Sequence, residues 1–122
     1  MSQRVQPVYE FGPFRLDTVQ RVLERNGQPV PLTSKVFETL LVLVQHPGQL
    51  LTKDQLREAL WPDTIVEESN LTQNISVLRK ALGERPGQHC YIVTVPGRGY
   101  QFAASVIEAG IEREELVLTE RT

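Results

Sequence analysis

The stretch "SNLTQNISVLRKALGE", residues 69–84, constrains this chain more than any other part of it. Leu71, Ile75, Leu78 and Leu82 recur at spacings of four, three and four, which predicts one helix over 69–83 with a single buried stripe. Gly83 provides the stop. The other faces are unusual for a solvated helix. Ser69, Asn70, Thr72, Gln73, Asn74 and Ser76 are short amides and hydroxyls, where a surface helix ordinarily carries Glu–Lys pairs and better helix formers. Such a helix suits a partner that presents donors and acceptors of its own. The edges of base pairs in a duplex major groove, about 12 Å wide, are one. Amides suit adenine, guanidinium suits guanine or phosphate, and hydroxyls adapt to either.

What flanks this helix sets the fold class. "VYEFGPFRLD" places apolar Val8, Phe11, Phe14 and Leu16 around a Gly12-Pro13 turn. "QRVLERNGQPVPLT" puts Asn26-Gly27 between two extended runs, the strongest short hairpin signal, and Pro29 and Pro31 confine the second run to an edge. A small antiparallel sheet of three or four strands follows from this. Thr33 or Ser34 then caps a helix whose Val36, Phe37, Leu40, Leu41 and Val44 form a wide apolar face, ended by the Pro and Gly of "HPGQ". Thr52 with Gln55 three residues on is a capping box for a helix that buries Leu56, Ala59 and Leu60 and stops before Pro62. After the helix of residues 69–83, "YIVTVPGRGYQFAA" reads as a hairpin over 91–104 with Arg98 at a Gly-flanked tip. The class is α+β: an N-terminal antiparallel sheet, three helices and a C-terminal β-hairpin.

A chain of 122 residues fits one domain with a single core. The longest apolar patch, "LLVLV" from Leu40 to Val44, falls far short of the roughly 18 residues a spanning helix requires. No secretory signal is visible, and the expected location is the cytoplasm. Cys90 is alone, and with only His46 and His89 beside it no metal-ligand cluster assembles at sensible spacing. No P-loop, nucleophile motif or paired carboxylates in a Gly-rich setting appear, so neither catalysis nor a cofactor is expected. The net charge of −2 divides unevenly: +1 before Glu108 and −3 from there on. Residues 1–106 are therefore assigned to the domain, and the acidic segment 107–122 to a linker or tail toward a missing domain. With a near-neutral body, nucleic-acid binding has to come from a local basic face.

Three helices closed by a hairpin is the layout of a winged helix-turn-helix, in which the third helix enters the major groove and the hairpin lies on the backbone or minor groove. "NLTQNISVLRKALGE" followed by "YIVTVPGRGYQF" resembles the OmpR/PhoB-type winged-helix DNA-binding domain. The Leu-Arg-Lys-Ala-Leu ending, the Thr-Val-x-Gly-x-Gly-Tyr-x-Phe of the wing, Trp61 closing the second helix and the N-terminal sheet carry the likeness over roughly Val8 to Ala104. "VPGRGY" is similar to the CadC-like branch, where this domain opens a longer, often membrane-anchored protein.

The resemblance implies sequence-specific binding of promoter DNA by a transcriptional regulator, in families tied to phosphorelay signal transduction. It also implies tandem or dimeric binding on direct repeats. A phosphoacceptor receiver domain, common in the family, has no room here, so the chain is expected to be a fragment or to precede its input domain. The matching DNA-contact positions are Ser69, Asn70, Asn74, Ser76, Val77 and Arg79 on the helix, with Thr94 and Tyr100 on the wing; Thr72, Gln73, Lys80 and Arg98 join them by position and chemistry. Family members often carry Arg where this chain has Ser76, Val77 and Pro96, and its wing cation is Arg98 instead. The loop between the second and third helices, Trp61, Asp63, Thr64 and Glu67 above all, maps to a segment that can touch RNA polymerase in the family.

Several of these positions have a second reading. Asn74 lies at the edge of the stripe and serves either a base or a nearby backbone group. Asn70 or Ser69 is a candidate N-cap. Arg79 reaches either a phosphate or Glu67 or Glu68. Val77 meets a thymine methyl or only solvent. The competing function for the whole is a winged-helix protein-interaction module without DNA binding, which would be favoured if the candidate phosphate partners Arg79, Lys80, Arg98, Lys53 and Arg57 were scattered rather than gathered on one face.

Overall fold

The structure, a computed structural model, describes residues 8–84 and 91–109. Four short strands open it: β1 (Val8–Phe11), β2 (Phe14–Asp17), β3 (Val22–Arg25) and β4 (Gln28–Val30). Phe11 faces Phe14 across the first hairpin, so Gly12 and Pro13 form a two-residue turn. In the second hairpin Arg25 faces Gln28, and Asn26 and Gly27 take φ of 51° and 83°, the left-handed pair that a primed turn requires. β4 is an edge strand, where Pro29 leaves no central ladder bond unmade.

The fifth strand of this sheet comes from the far end of the chain. β8 (Ile107–Ala109) pairs antiparallel with β1, Val8 opposite Ala109, giving the order β4-β3-β2-β1-β8. The expected boundary after residue 106 is thus corrected: residues 107–109 belong to the sheet. Tyr9, 5% exposed, helps hold the strand. Burial raises the pKa of its phenol, and Gln45 and Glu108 of β8 are the polar groups that act on it. The rest of the acidic segment, 110–122, lies outside the described residues, as do His89 and Cys90.

Three helices form the middle. α1 (Ser34–Val44) is capped by Thr33, whose hydroxyl accepts from the Val36 amide. α2 (Lys53–Leu60) has the expected capping box, Thr52 and Gln55 each accepting the other's backbone N–H. Leu56 and Leu60 are buried, but Ala59, expected beside them, is exposed. α3 (Glu68–Ala81) starts one residue earlier than the periodicity suggested and ends with Leu82 as C-cap. Gly83 at φ +80° closes it: Gly83 N–H donates to Lys80 O and Glu84 N–H to Arg79 O, a Schellman pair.

β6 (Ile92–Val95) and β7 (Gly99–Phe102) form the hairpin, and β5 (Leu50–Thr52), which the sequence did not announce, adds a third strand in the order β5-β7-β6. Gly99 is required at this junction, because a Cβ there would lie 2.0 Å from the Leu51 carbonyl oxygen. The two sheets meet through aromatic rings: Phe11 stands edge-on to Phe102 at 5.1 Å, and Tyr91 packs against Phe11 and Phe14. Leu40, Leu43, Leu56, Leu71, Ile75 and Leu78 fill the space among the helices, each at most 1% exposed. No helix among the described residues is long and apolar enough to cross a membrane.

Candidate nucleic-acid interface

α3 is seated by its stripe: Leu71, Ile75, Leu78 and Leu82 are all at most 2% exposed. At about 100° per residue, the face directly opposite carries Ser69, Gln73, Ser76, Val77 and Lys80. All five are exposed, and they form a row roughly 16 Å long at the helical rise. Within the described residues, none of their polar side chains is engaged in a hydrogen bond or ion pair. Asn70 and Thr72 flank the row and are exposed too, Thr72 donating its hydroxyl hydrogen to Glu68 O at 3.3 Å. Neither Ser69 nor Asn70 is the N-cap. That position is Glu67, which makes no side-chain cap bond, while its carbonyl accepts from the Asn70 amide.

Three expected contacts are committed to the fold. The Asn74 amide donates to the Thr39 hydroxyl at 3.4 Å, and Thr39 in turn donates to Lys35 O at 2.8 Å, so Asn74 spans α3 and α1. Tyr100 is 6% exposed, between Thr94 of β6 and Leu51 of β5 in the sheet register. Arg79 departs furthest from expectation. Its Nη2 donates to Thr94 Oγ1 at 2.7 Å and to Ile92 O at 2.9 Å, and its Nε sits 3.7 Å from Glu84 Oε1. The carboxylate partner is therefore Glu84, not Glu67 or Glu68. Thr94, though exposed, spends a lone pair on this bond.

Glu84 is the residue that the sequence hid. Its side chain is 1% exposed, and Oε2 accepts the backbone amides of Tyr91 at 2.7 Å and Ile92 at 3.0 Å. Arg79 and Glu84 together join the C-terminal end of α3 to the first strand of the wing. An acid just past a helix-ending glycine ordinarily points into water, so no local signal marked it.

At the other end of α3, Lys53 Nζ lies 2.5 Å from Glu68 Oε2, with the two side chains 31% and 50% exposed. The hydrogen bond that Lys53 donates to Glu68 raises the lysine's pKa, and the same bond holds the carboxyl below its usual range. The Lys53 amide also donates to Arg98 O at 3.1 Å, which places the start of α2 against the wing turn. Gly97 at φ +74° makes that turn, leaving Arg98 exposed at its tip. Arg57, also expected at the interface, pairs with Asp54 on its own helix. Of the five expected phosphate partners, only Lys80 and Arg98 make no ion pair among the described residues.

The loop between α2 and α3 forms an open cleft beside Trp61, Pro62 and Val66. Trp61 is half-buried, with the Lys35 ammonium 5.5 Å from its ring and donating to Leu60 O at 2.6 Å. Asp63, Thr64 and Glu67 are exposed, and Ile65 projects fully into solvent. No group of three or more His, Cys, Asp or Glu able to hold a metal occurs among the described residues.

Residues 27–102 match the family model described as "Transcriptional regulatory protein, C terminal". The chain is 34% identical over 116 residues to the transcriptional activator CadC of Escherichia coli, covering 93% of this chain and 23% of that protein. The sensory transduction protein RegX3 of Mycolicibacterium smegmatis is 35% identical over 95 residues, 77% of this chain and 42% of the relative. The chain thus spans less than half the length of both relatives. The solved DNA-binding domain of E. coli CadC superposes with a TM-score of 0.75 over 87% of this chain and 100% of that one, at 34% identity. The Klebsiella pneumoniae RstA DNA-binding domain, solved in complex with the RstA box, does so with a TM-score of 0.72 at 33% identity, covering 79% and 96%.

Proposed function

The chain belongs to the family of transcriptional regulatory protein C-terminal domains, and from that membership we propose that it binds double-stranded promoter DNA sequence-specifically, α3 in the major groove and the β6–β7 wing on the backbone. The observation that carries this reading is the outer row of α3. Ser69, Gln73, Ser76, Val77 and Lys80 offer an amide, hydroxyls, a methyl surface and a cation on one exposed face whose polar side chains engage none of the described residues. Gln73 has the bidentate geometry suited to adenine, and Val77, 37% exposed, can meet a thymine methyl. Arg98 and Lys80 supply phosphate contacts, which position without specifying. The contacts linking Arg98, Lys53 and Glu68 bring the wing turn and the starts of α2 and α3 together, as one docking surface for a duplex requires.

With Lys80 and Arg98 unpaired among the described residues and Lys53 able to exchange partners, two or three phosphates are neutralised per domain. The log–log salt slope is then about −2 to −3, shallower than five phosphate partners would give. One domain should therefore bind a half-site weakly. Occupancy comes from a second copy on direct repeats spaced about one helical turn apart. Selection of sites from random duplexes, followed by titration of one-site and two-site duplexes, tests both claims. Recovery of no preferred sequence would reject base readout, and equal affinity for one and two sites would reject tandem binding.

The α2–α3 loop supports a second contact, with RNA polymerase. A fully exposed Ile65 beside the half-buried Trp61 is a small apolar projection with polar neighbours Asp63, Thr64 and Glu67, and it lies off the outer row of α3. Ile65→Ser that reduces transcription while leaving DNA affinity intact is the expected outcome. Equal loss of both would reject the assignment. The domain acts where promoters are, in the cytoplasm.

A further inference from the structure

Every cation that α2 and α3 place near the wing, Lys80 apart, already has a carboxylate, but the three pairs differ in how firmly they are held. Arg79–Glu84 is fixed: the acid is 1% exposed and also holds two backbone amides. Arg57–Asp54 is local to one helix, its carboxylate 86% exposed. Lys53–Glu68 joins two helices at the point where both begin, and both partners meet solvent. Lys53 gains nothing as a helix cap, because a cation in the first turn opposes the α2 dipole. Its amide is anchored on the carbonyl of Arg98, so the residue that carries the ammonium starts α2 directly against the wing turn.

We infer that Glu68 is an intramolecular stand-in for a DNA phosphate, which occupies the Lys53 ammonium in the free domain and must yield it when the duplex docks. The inference rests on the DNA-binding reading above and deepens it by naming a residue that sets affinity. The exchange costs the domain one ion pair and leaves a carboxylate at the edge of a polyanion, so Glu68 limits binding to every sequence alike. Glu68 reads no base, and the selectivity ratio is independent of it. The same carboxylate favours the α3 N-terminus through the helix dipole, which gives an acid a reason to stand there despite its effect on DNA.

The test uses the full chain with Glu68→Gln, Lys53→Gln and the double variant, titrated on a selected-site duplex and a random duplex at two salt concentrations. Glu68→Gln should bind both duplexes about fivefold more tightly, with a salt slope steeper by up to roughly 0.9. In the Lys53→Gln background the same change should lose most of that gain, because there is no ammonium to release. Unchanged or weaker binding by Glu68→Gln, with wild-type DNA binding intact, overturns the exchange alone. An equal gain in both backgrounds also overturns it, since Glu68 would then act only by repelling DNA. Failure of the wild type to bind any duplex removes the DNA-binding reading and this inference together.

Discussion

The two ends of α3 use the same pair of chemistries, a basic side chain and a glutamate, for opposite purposes. At the C-terminal end Glu84 is enclosed, and Arg79 is stretched between it, Thr94 and the Ile92 carbonyl. At the N-terminal end Glu68 and Lys53 meet in solvent. Burial makes the difference. Removing one member of an enclosed pair leaves an uncompensated charge, costing about 3–5 kcal/mol, while an exposed pair is screened by solvent, contributes little and can trade partners. One end of the helix is thus bound to the wing, and the other remains available to a ligand. An arginine in a helix of this family is not by that fact a DNA contact.

The strongest test of this contrast is Glu84→Ala. It strands the Tyr91 and Ile92 amides and the Arg79 guanidinium, and should cost about 3–5 kcal/mol in urea unfolding. A loss under about 1 kcal/mol would mean that the C-terminal end is no more fixed than the other. Next in size is Gln73→Ala, on the face between the two ends. It should leave the unfolding midpoint unchanged and cost roughly 1–3 kcal/mol of discrimination at one or two base pairs. Equal losses on selected and random duplexes would show that the outer row touches phosphate instead.

Arg98→Ala should weaken binding to all duplexes alike and make the salt slope shallower by about 0.9. Filter binding on several sequences measures it, and unchanged affinity on all of them would take the wing tip off the backbone. The smallest effect concerns the exchangeable pair. Glu68 has its pKa lowered by Lys53, so its contribution to stability is present above the ordinary carboxylate value and is lost as pH falls through the folded value. Lys53, raised by Glu68, contributes fully below the ordinary lysine value and loses its contribution as pH rises through the folded one. Urea midpoints followed into acid should therefore decline slightly less in Glu68→Gln than in the wild type. Identical acid limbs would show the pair to be broken in solution.

Much of the fold was legible because its signals are local. The Asn26-Gly27 hairpin, the Thr52–Gln55 capping box, the α3 stripe and its Gly83 stop each lie within a few residues of one another. β5 and β8 were not legible. Each is three residues long, too short for a period, and each exists only by pairing with a distant partner: Leu50 with Gln101, Val8 with Ala109. The candidate site divides in the same way. The helix wheel placed Gln73 and Lys80 outward, but it could not show that Thr39 would come within reach of Asn74 from α1.

The sequence by itself determined which helix carries the polar row, which stripe seats it, and that a glycine-flanked cation tips the hairpin, since periodicity, capping and turn chemistry act over one or two turns of chain. Only the tertiary structure decided which cations remain for a partner. That choice depends on whether a carboxylate distant in sequence or hidden from solvent reaches them first: Glu84 folded under the wing to Arg79, and Glu68 met Lys53 across fifteen positions of chain. Charge pairing is set by distance and dielectric, and neither quantity exists until the helices and the wing have packed.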